Sequence, residues 1–193
     1  KLYKAEPIWD ITPRNKEQTF AVELLMDPAI EVVSLIGQAG SGKTLLAVAA
    51  GLEQVLGEKS LYKKLIVSRP IQPLGKDIGF LPGTLEEKME PWLMPIKDNL
   101  EFLMGNDRSM VQTYFDQGVI EIEAITYIRG RSITNAFIII DEAQNLTRHE
   151  LKTILTRVGD GTKIILTGDI EQIDNIYIDE TSNGLTYAVE KFK

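Results

Sequence analysis

Gly37-Gln38-Ala39-Gly40-Ser41-Gly42-Lys43-Thr44 is the stretch on which the reading of this chain turns. It fits a glycine-rich phosphate-binding loop, the P-loop, at every required position. The flanks agree with it. Glu31 to Ile36 is a β-branched run that reads as a buried strand, and Lys43 to Leu56 is an apolar helical pattern. Glycines let successive backbone N–H groups point into one concavity, and the helix N-terminus that follows adds its partial positive charge. In such a loop Lys43 reaches the β- and γ-phosphates and the Thr44 hydroxyl ligates magnesium. The expected nucleotide-binding set is therefore Gly37, Gln38, Ala39, Gly40, Ser41, Gly42, Lys43, Thr44 and Leu45.

Working outward, three more apolar runs read as parallel strands: Lys64 to Val67, Phe137 to Ile140 and Lys163 to Leu166. A helical pattern over Arg148 to Arg157 precedes the last, and another over Asn15 to Met26 precedes the first, with Phe20, Val22, Leu24 and Leu25 apolar. Strand–helix–strand repetition implies right-handed crossovers and an α/β fold of the RecA-like P-loop type, a mostly parallel sheet with helices on both faces. Residues 1–14 read as an extended leading segment with two exposed aromatics, Tyr3 and Trp9; residues 15–193 read as the P-loop domain. Its rhythm is broken at about 71–118, where Pro73, Gly75, Gly79, Pro82, Gly83, Pro91 and Pro95 mark a helical insertion. Met89, Met94, Met104 and Met110 in and after it read as packing residues, and Trp92 as a local anchor.

The run Phe137 to Ile140 delivers Asp141 and Glu142 at its carboxyl end. In P-loop enzymes such an Asp holds magnesium, and the neighbouring Glu can take a proton from the attacking water. The fourth run ends in Thr167-Gly168-Asp169 with Gln172 beyond it, and Asp169 and Gln172 could sense the γ-phosphate or orient water; an ordinary Gly-Asp turn is the plain alternative. Gln18 carries one acceptor and one donor, the pair that adenine N6 and N7 require. Its position on a helix is equally that of a solvated glutamine. His149, the one histidine, has no partner spacing for a metal or triad.

Composition bounds the partners. The 193 residues carry a net charge of −7 and are 44 % hydrophobic. That supports one sizeable core and argues against holding nucleic acid by bulk charge. A local basic track remains open, because Arg129, Arg131, Arg148, Lys152 and Arg157 cluster. No run of about 18 apolar residues offers a membrane span. There is no cysteine, hence no disulfide and no thiolate metal site. ATP chemistry favours the cytoplasm, and Lys1 in place of a starting methionine reads as a piece of a longer protein.

Taken together these segments resemble the PhoH family of P-loop ATPases. The resemblance rests on Pro13-Arg14-Asn15-Lys16-Glu17-Gln18, the P-loop, Ser68-Arg69-Pro70, Leu74 to Gly83, Glu87-Lys88-Met89, Ile128-Arg129-Gly130-Arg131, Asp141-Glu142-Ala143-Gln144-Asn145, Leu155 to Gly159, and Gly168-Asp169 with Gln172. Ile8-Trp9-Asp10-Ile11 ahead of Pro13 resembles the branch in which an N-terminal PIN ribonuclease domain precedes this part. The family is similar to the first motor domain of superfamily-one helicases. By this resemblance Gln18 reads adenine, Ser68-Arg69-Pro70 contacts a nucleic-acid strand, and the partner is RNA.

The resulting expectation is a domain that binds ATP and Mg2+ and hydrolyses ATP, coupled to RNA unwinding or remodelling. A phosphotransferase, or a non-hydrolysing module switched by ATP, are the rival readings. The residues beyond Gly168 are too few for a second motor domain that would bring an arginine to the γ-phosphate. A ring homo-oligomer, a hexamer, with Arg129, Arg131 or Arg157 reaching the neighbour's ATP, would supply one.

Overall fold

A computed structural model describes residues 6–70, 85–128 and 132–191. The first helix, α1 (Lys16–Met26), is capped by Asn15, whose side chain accepts from the Gln18 N–H. It leads into β1 (Val32–Ile36), α2 (Lys43–Leu56) and β2 (Lys64–Arg69). Then come α3 (Leu85–Leu103), α4 (Arg108–Asp116), β3 (Ile120–Ala124) and the short α5 (Ile125–Ile128). The chain continues through β4 (Ala136–Ile140), a single 3-10 turn at Ala143–Asn145, α6 (Arg148–Leu155), β5 (Lys163–Gly168) and α7 (Gly184–Lys191). The strands form one five-stranded sheet in the order β1-β5-β4-β2-β3. Every pairing is parallel.

Strict alternation along the strands divides the core in two. Leu65 and Val67, Phe137 and Ile139, and Ile165 face α1, α2, α3 and α4, with Val22, Leu25, Leu52, Ile96 and Leu100 packed on them. Ile66, Ile138, Ile140, Ile164 and Leu166 face the other way, against Leu151 and Ile154 of α6 and Leu185 and Ala188 of α7. The inner strands β2, β4 and β5 are buried on both faces and so read as continuous apolar runs; β1, at one margin, is buried only at alternate residues. The helix α2 lies close on the sheet at Gly51, where a Cβ would stand 2.7 Å from Leu65 Cδ1 and 3.1 Å from Phe137 Cδ1.

Several expectations need correction. The strand β3 lies next to β2 at the sheet margin, just beyond the insertion as read. Its sequence Ile-Glu-Ile-Glu-Ala alternates polar and apolar, so it lacks the continuous signature. Residues 71–84 of the insertion lie outside the described residues; the part from Leu85 onward is helical, and α3 contains Pro91 and Pro95. Trp9 is not simply exposed: it is half-buried and its indole Nε1 donates to the Leu103 carbonyl at 2.8 Å. It sits in a tight turn bridged between Ile8 and Ile11, with positive φ at Trp9 and Asp10, so the leading segment bends there. Tyr3 lies outside the described residues. Of the methionines, Met104 is buried whereas Met94 and Met110 are exposed. On α1, Val22 and Leu25 face the core, while Phe20 and Leu24 stand exposed.

One buried charge braces this architecture. Lys163, at the start of β5, is only 1 % exposed. Its Nζ donates to the Leu24 carbonyl at 2.9 Å and the Asp27 carbonyl at 2.6 Å, satisfying acceptors at the end of α1. Burial lowers its pKa to about 8. Between that value and the ordinary 10.5 the unfolded chain holds a proton that the folded one has released, so raising the pH favours the fold. The contribution is complete above the unfolded value and is lost as pH falls through 8; the neutral amine still has two N–H groups for the two carbonyls. Urea midpoints at pH 7.5 and 9.5 should therefore show wild type gaining on Lys163→Met at the higher pH. An equal difference at both pH values would refute this.

Candidate nucleotide site

Parallel strands bring all their carboxyl ends to one edge, and here that edge gathers four polar groups. The P-loop follows β1, Arg69 ends β2, Asp141 and Glu142 follow β4, and Asp169 follows β5. Gly40 and Gly42 take φ of +76° and +86°, a region in which a side chain is strained, so the loop depends on glycine at both. Lys43 lies across its own loop, donating to the carbonyls of Gly37 and Gln38 at 2.7 Å each and to Ser41 Oγ at 3.2 Å.

Opposite the loop, the Thr44 hydroxyl donates to Asp141 Oδ1 at 2.8 Å, and the Thr167 hydroxyl donates to the same oxygen at 2.6 Å. Asp141 is almost buried, and two hydroxyl donors fix its carboxylate plane. Glu142 has φ 53° and ψ 40°, a left-handed conformation uncommon for glutamate. Strain of this kind occurs where the surroundings over-determine a side chain's direction. Here the fixing partners are Gln144, whose Nε2 donates to Glu142 Oε2, and Arg69, whose Nη2 lies 3.6 Å from Oε1.

Sequence reasoning gave Gln144 no separate role. It is fully buried, and its Nε2 also donates to the Gln172 carbonyl at 2.9 Å while its Oε1 accepts from the Asp169 N–H at 3.2 Å. Its side chain thereby links the end of β4 to the loop after β5. Gly168 must be glycine to let it in, since a Cβ there would stand 2.5 Å from Gln144 Oε1. Asp169 points at the P-loop itself: Oδ2 accepts from the Ala39 N–H at 2.9 Å and Oδ1 from Glu171 N–H at 3.0 Å. Gln172 is exposed and reaches the site through its position on the cleft wall.

These groups enclose a cleft of about 250 Å3, lined by Ala39, Gly40, Gly42, Lys43, Thr44, Leu45, Asp141, Glu142, Gly168, Asp169, Gln172 and Asn99 of α3. The last was not foreseen. A second, more apolar cleft of about 430 Å3 adjoins it beyond Lys43, lined in part by Gln18, Phe20, Leu24 and Ile36. There Gln18 Nε2 donates to the Ser41 carbonyl at 3.1 Å, and Oε1 accepts from the Arg14 N–H at 2.8 Å.

A family model described as PhoH-like protein matches residues 10–193. The chain belongs to the PhoH family. It is 58 % identical to Protein PhoH2 of Bacillus subtilis (strain 168), over 100 % of this chain and 44 % of that one. It is 41 % identical to the PhoH-like protein of the same organism, over 84 % of this chain and 49 % of the relative. This PhoH domain thus spans about half the length of the curated relatives it matches. Among solved structures it is similar to the Sulfolobus solfataricus SWI2/SNF2 ATPase core in complex with dsDNA. The TM-score is 0.53 at 18 % identity, over 92 % of this chain and 36 % of that chain. That likeness shows the fold: a P-loop domain of the kind found in helicase-like ATPases. Family and fold together are those of a nucleotide-binding domain of the ATPase type.

The arginines fare differently from the P-loop residues. Arg129 and Arg131 lie outside the described residues. Arg157 is exposed, and its carbonyl accepts from the Ile133 N–H ahead of β4, which puts it at the opposite edge of the sheet from its own P-loop. Arg148 is engaged within the domain, donating to the Thr181 carbonyl and lying 5.7 Å from the Tyr187 ring centre. His149 and Lys152 are exposed on α6. Arg69, expected in a strand-contacting loop, faces the two carboxylates of the nucleotide cleft.

Proposed function

We propose that this PhoH domain binds ATP with magnesium and hydrolyses it, and that in the whole protein the reaction is coupled to RNA unwinding or remodelling. The observation that carries the reading is the Thr44–Asp141 hydrogen bond, 2.8 Å, at the mouth of a loop that only glycine can form, with Glu142 beside it. A hydroxyl and a carboxylate so joined are the oxygen donors that a small hard cation takes from a P-loop protein. Thr44 and Asp141 would hold magnesium, which when bound neutralises charge on the β- and γ-phosphates. The P-loop amides and Lys43 bind the phosphates, Lys43 exchanging its loop carbonyls for phosphate oxygens. Glu142, aimed by Gln144, accepts a proton from water as the water oxygen bonds to the γ-phosphorus and the bond to the β,γ-bridging oxygen breaks. Gln18 and the apolar cleft around Phe20 are the place for adenine.

Support for nucleic acid as partner comes from the fold, whose solved neighbour holds double-stranded DNA, and from the exposed basic residues Lys152 and Arg157. The cytoplasm is the location that suits this chemistry. Among the described residues no helix is long and apolar enough to cross a membrane. A PIN ribonuclease domain ahead of this one is part of the proposal. The test is phosphate release by the whole protein with magnesium or with chelator, each with and without RNA. Magnesium-dependent release that rises severalfold with RNA is expected. Nucleotide binding without release would favour the switch module, and a phosphorylated acceptor the phosphotransferase.

The ring belongs to the same proposal. On this reading Arg157, which lies on the far edge from its own cleft, meets a neighbour's cleft in a head-to-tail contact. Mixing Lys43→Ala and Arg157→Ala proteins, each inactive, should restore part of the ATPase rate. No recovery despite proven subunit exchange removes Arg157 as the shared residue.

A further inference from the structure

Among the described residues, Arg69 forms the ion pairs to the two acidic groups at the end of β4. The strand β2 lies between β3 and β4, and the register that pairs Ser68 with Ile140 carries Arg69 alongside Asp141. The Asp141 N–H donates to the Ser68 carbonyl at 2.8 Å, extending the ladder one residue past the strand end and fixing this juxtaposition. Arg69 Nη1 stands 3.9 Å from Asp141 Oδ2, and Nη2 stands 3.6 Å from Glu142 Oε1. Oδ1 of Asp141 is occupied by Thr44 and Thr167, and Oε2 of Glu142 by Gln144. The guanidinium thus faces the one remaining oxygen of each carboxylate. The Arg69 side chain is 23 % exposed, so the pair is neither dry nor fully screened. Both distances are those of ion pairs rather than tight hydrogen bonds.

We propose that Arg69 is a positioning residue that holds Asp141 and Glu142 in place and competes with magnesium for them, so that the metal–nucleotide complex must displace its guanidinium to load. Two adjacent carboxylates repel when no cation lies between them, and an arginine fork is suited to face both. This rests on the magnesium-dependent reading above.

The test uses the whole protein with a fluorescent ATP analogue, titrating magnesium at fixed nucleotide, alongside steady-state ATPase and RNA-binding measurements. Arg69→Ala should lower the magnesium concentration for half-maximal nucleotide binding severalfold, because its competitor is gone. It should also lower kcat by at least about tenfold with KM little changed, as expected for a group that orients charge in the transition state. Arg69→Lys, which keeps a charge but not the fork, should restore the wild-type magnesium midpoint and only part of kcat. A wild-type magnesium midpoint and kcat in Arg69→Ala overturn the proposal, as does a change confined to RNA affinity, which would return Arg69 to strand contact. If the wild-type protein itself binds nucleotide without regard to magnesium, the functional reading fails first, and the two failures are told apart by that control.

Discussion

Lys43→Ala is expected to reduce ATP turnover at least about 10²-fold, the scale of removing one charge-stabilising group from a transferring phosphoryl, while the fold survives. Among the described residues Lys43 Nζ donates to the backbone carbonyls of Gly37 and Gln38 and to the hydroxyl of Ser41, in a loop that is largely exposed. Losing those bonds costs about 1 kcal/mol, too little to unfold a domain with a two-faced core. Among the described residues Lys43 is the one lysine that lines the cleft. Isothermal titration with ATP and a thermal melt on the same preparation check both halves. Wild-type turnover in a folded variant would show that the glycine loop is not a phosphate cradle.

The second large effect separates two neighbouring carboxylates. Glu142→Gln should bind magnesium–ATP as wild type does and turn over about 10²–10⁴-fold more slowly, the range for removing a general base. Its amide can no longer accept a proton, while Asp141, Thr44 and Thr167 stay as they are. Asp141→Asn should weaken magnesium-dependent binding itself, since the oxygen that accepts from both hydroxyls loses its charge. Fluorescent-nucleotide affinities with and without magnesium, set beside single-turnover rates, distinguish the two variants. Equal loss of affinity in both would mean the roles have been misassigned.

How far the sequence could carry these assignments depended on the range of the interaction. Asp141 and Glu142 are legible because they follow a short apolar run buried on both faces, and the P-loop because its own glycine pattern marks it after the largely apolar run Val32–Ile36. The strand β3 escaped because a margin strand needs only part of that burial, and Ile120–Ala124 keeps glutamates at two of its positions. The role of Gln144 escaped because glutamine after a strand is ordinarily solvated; only the approach of Gly168 from another strand buries it. The placement of Arg69 was missed for the same reason. Local pattern gives no hint that β2 lies beside β4 rather than beside β1, and the charge pairing follows from that neighbour relation alone.

The strap between Gln18 and the P-loop has a consequence for nucleotide choice. With Arg14 N–H on its oxygen and the Ser41 carbonyl on its nitrogen, Gln18 is already making the two bonds an adenine edge would offer. Two backbone groups of the protein thus meet Gln18 as an adenine edge would. A purine seated in the neighbouring apolar cleft must displace the Ser41 carbonyl, and only one with a donor beside an acceptor can take over both bonds. Guanine presents acceptors at both positions, so it would leave Gln18 Oε1 without a donor from the base. Discrimination between the two purines would then be set less by the depth of the cleft than by which base can replace a piece of the protein's own backbone.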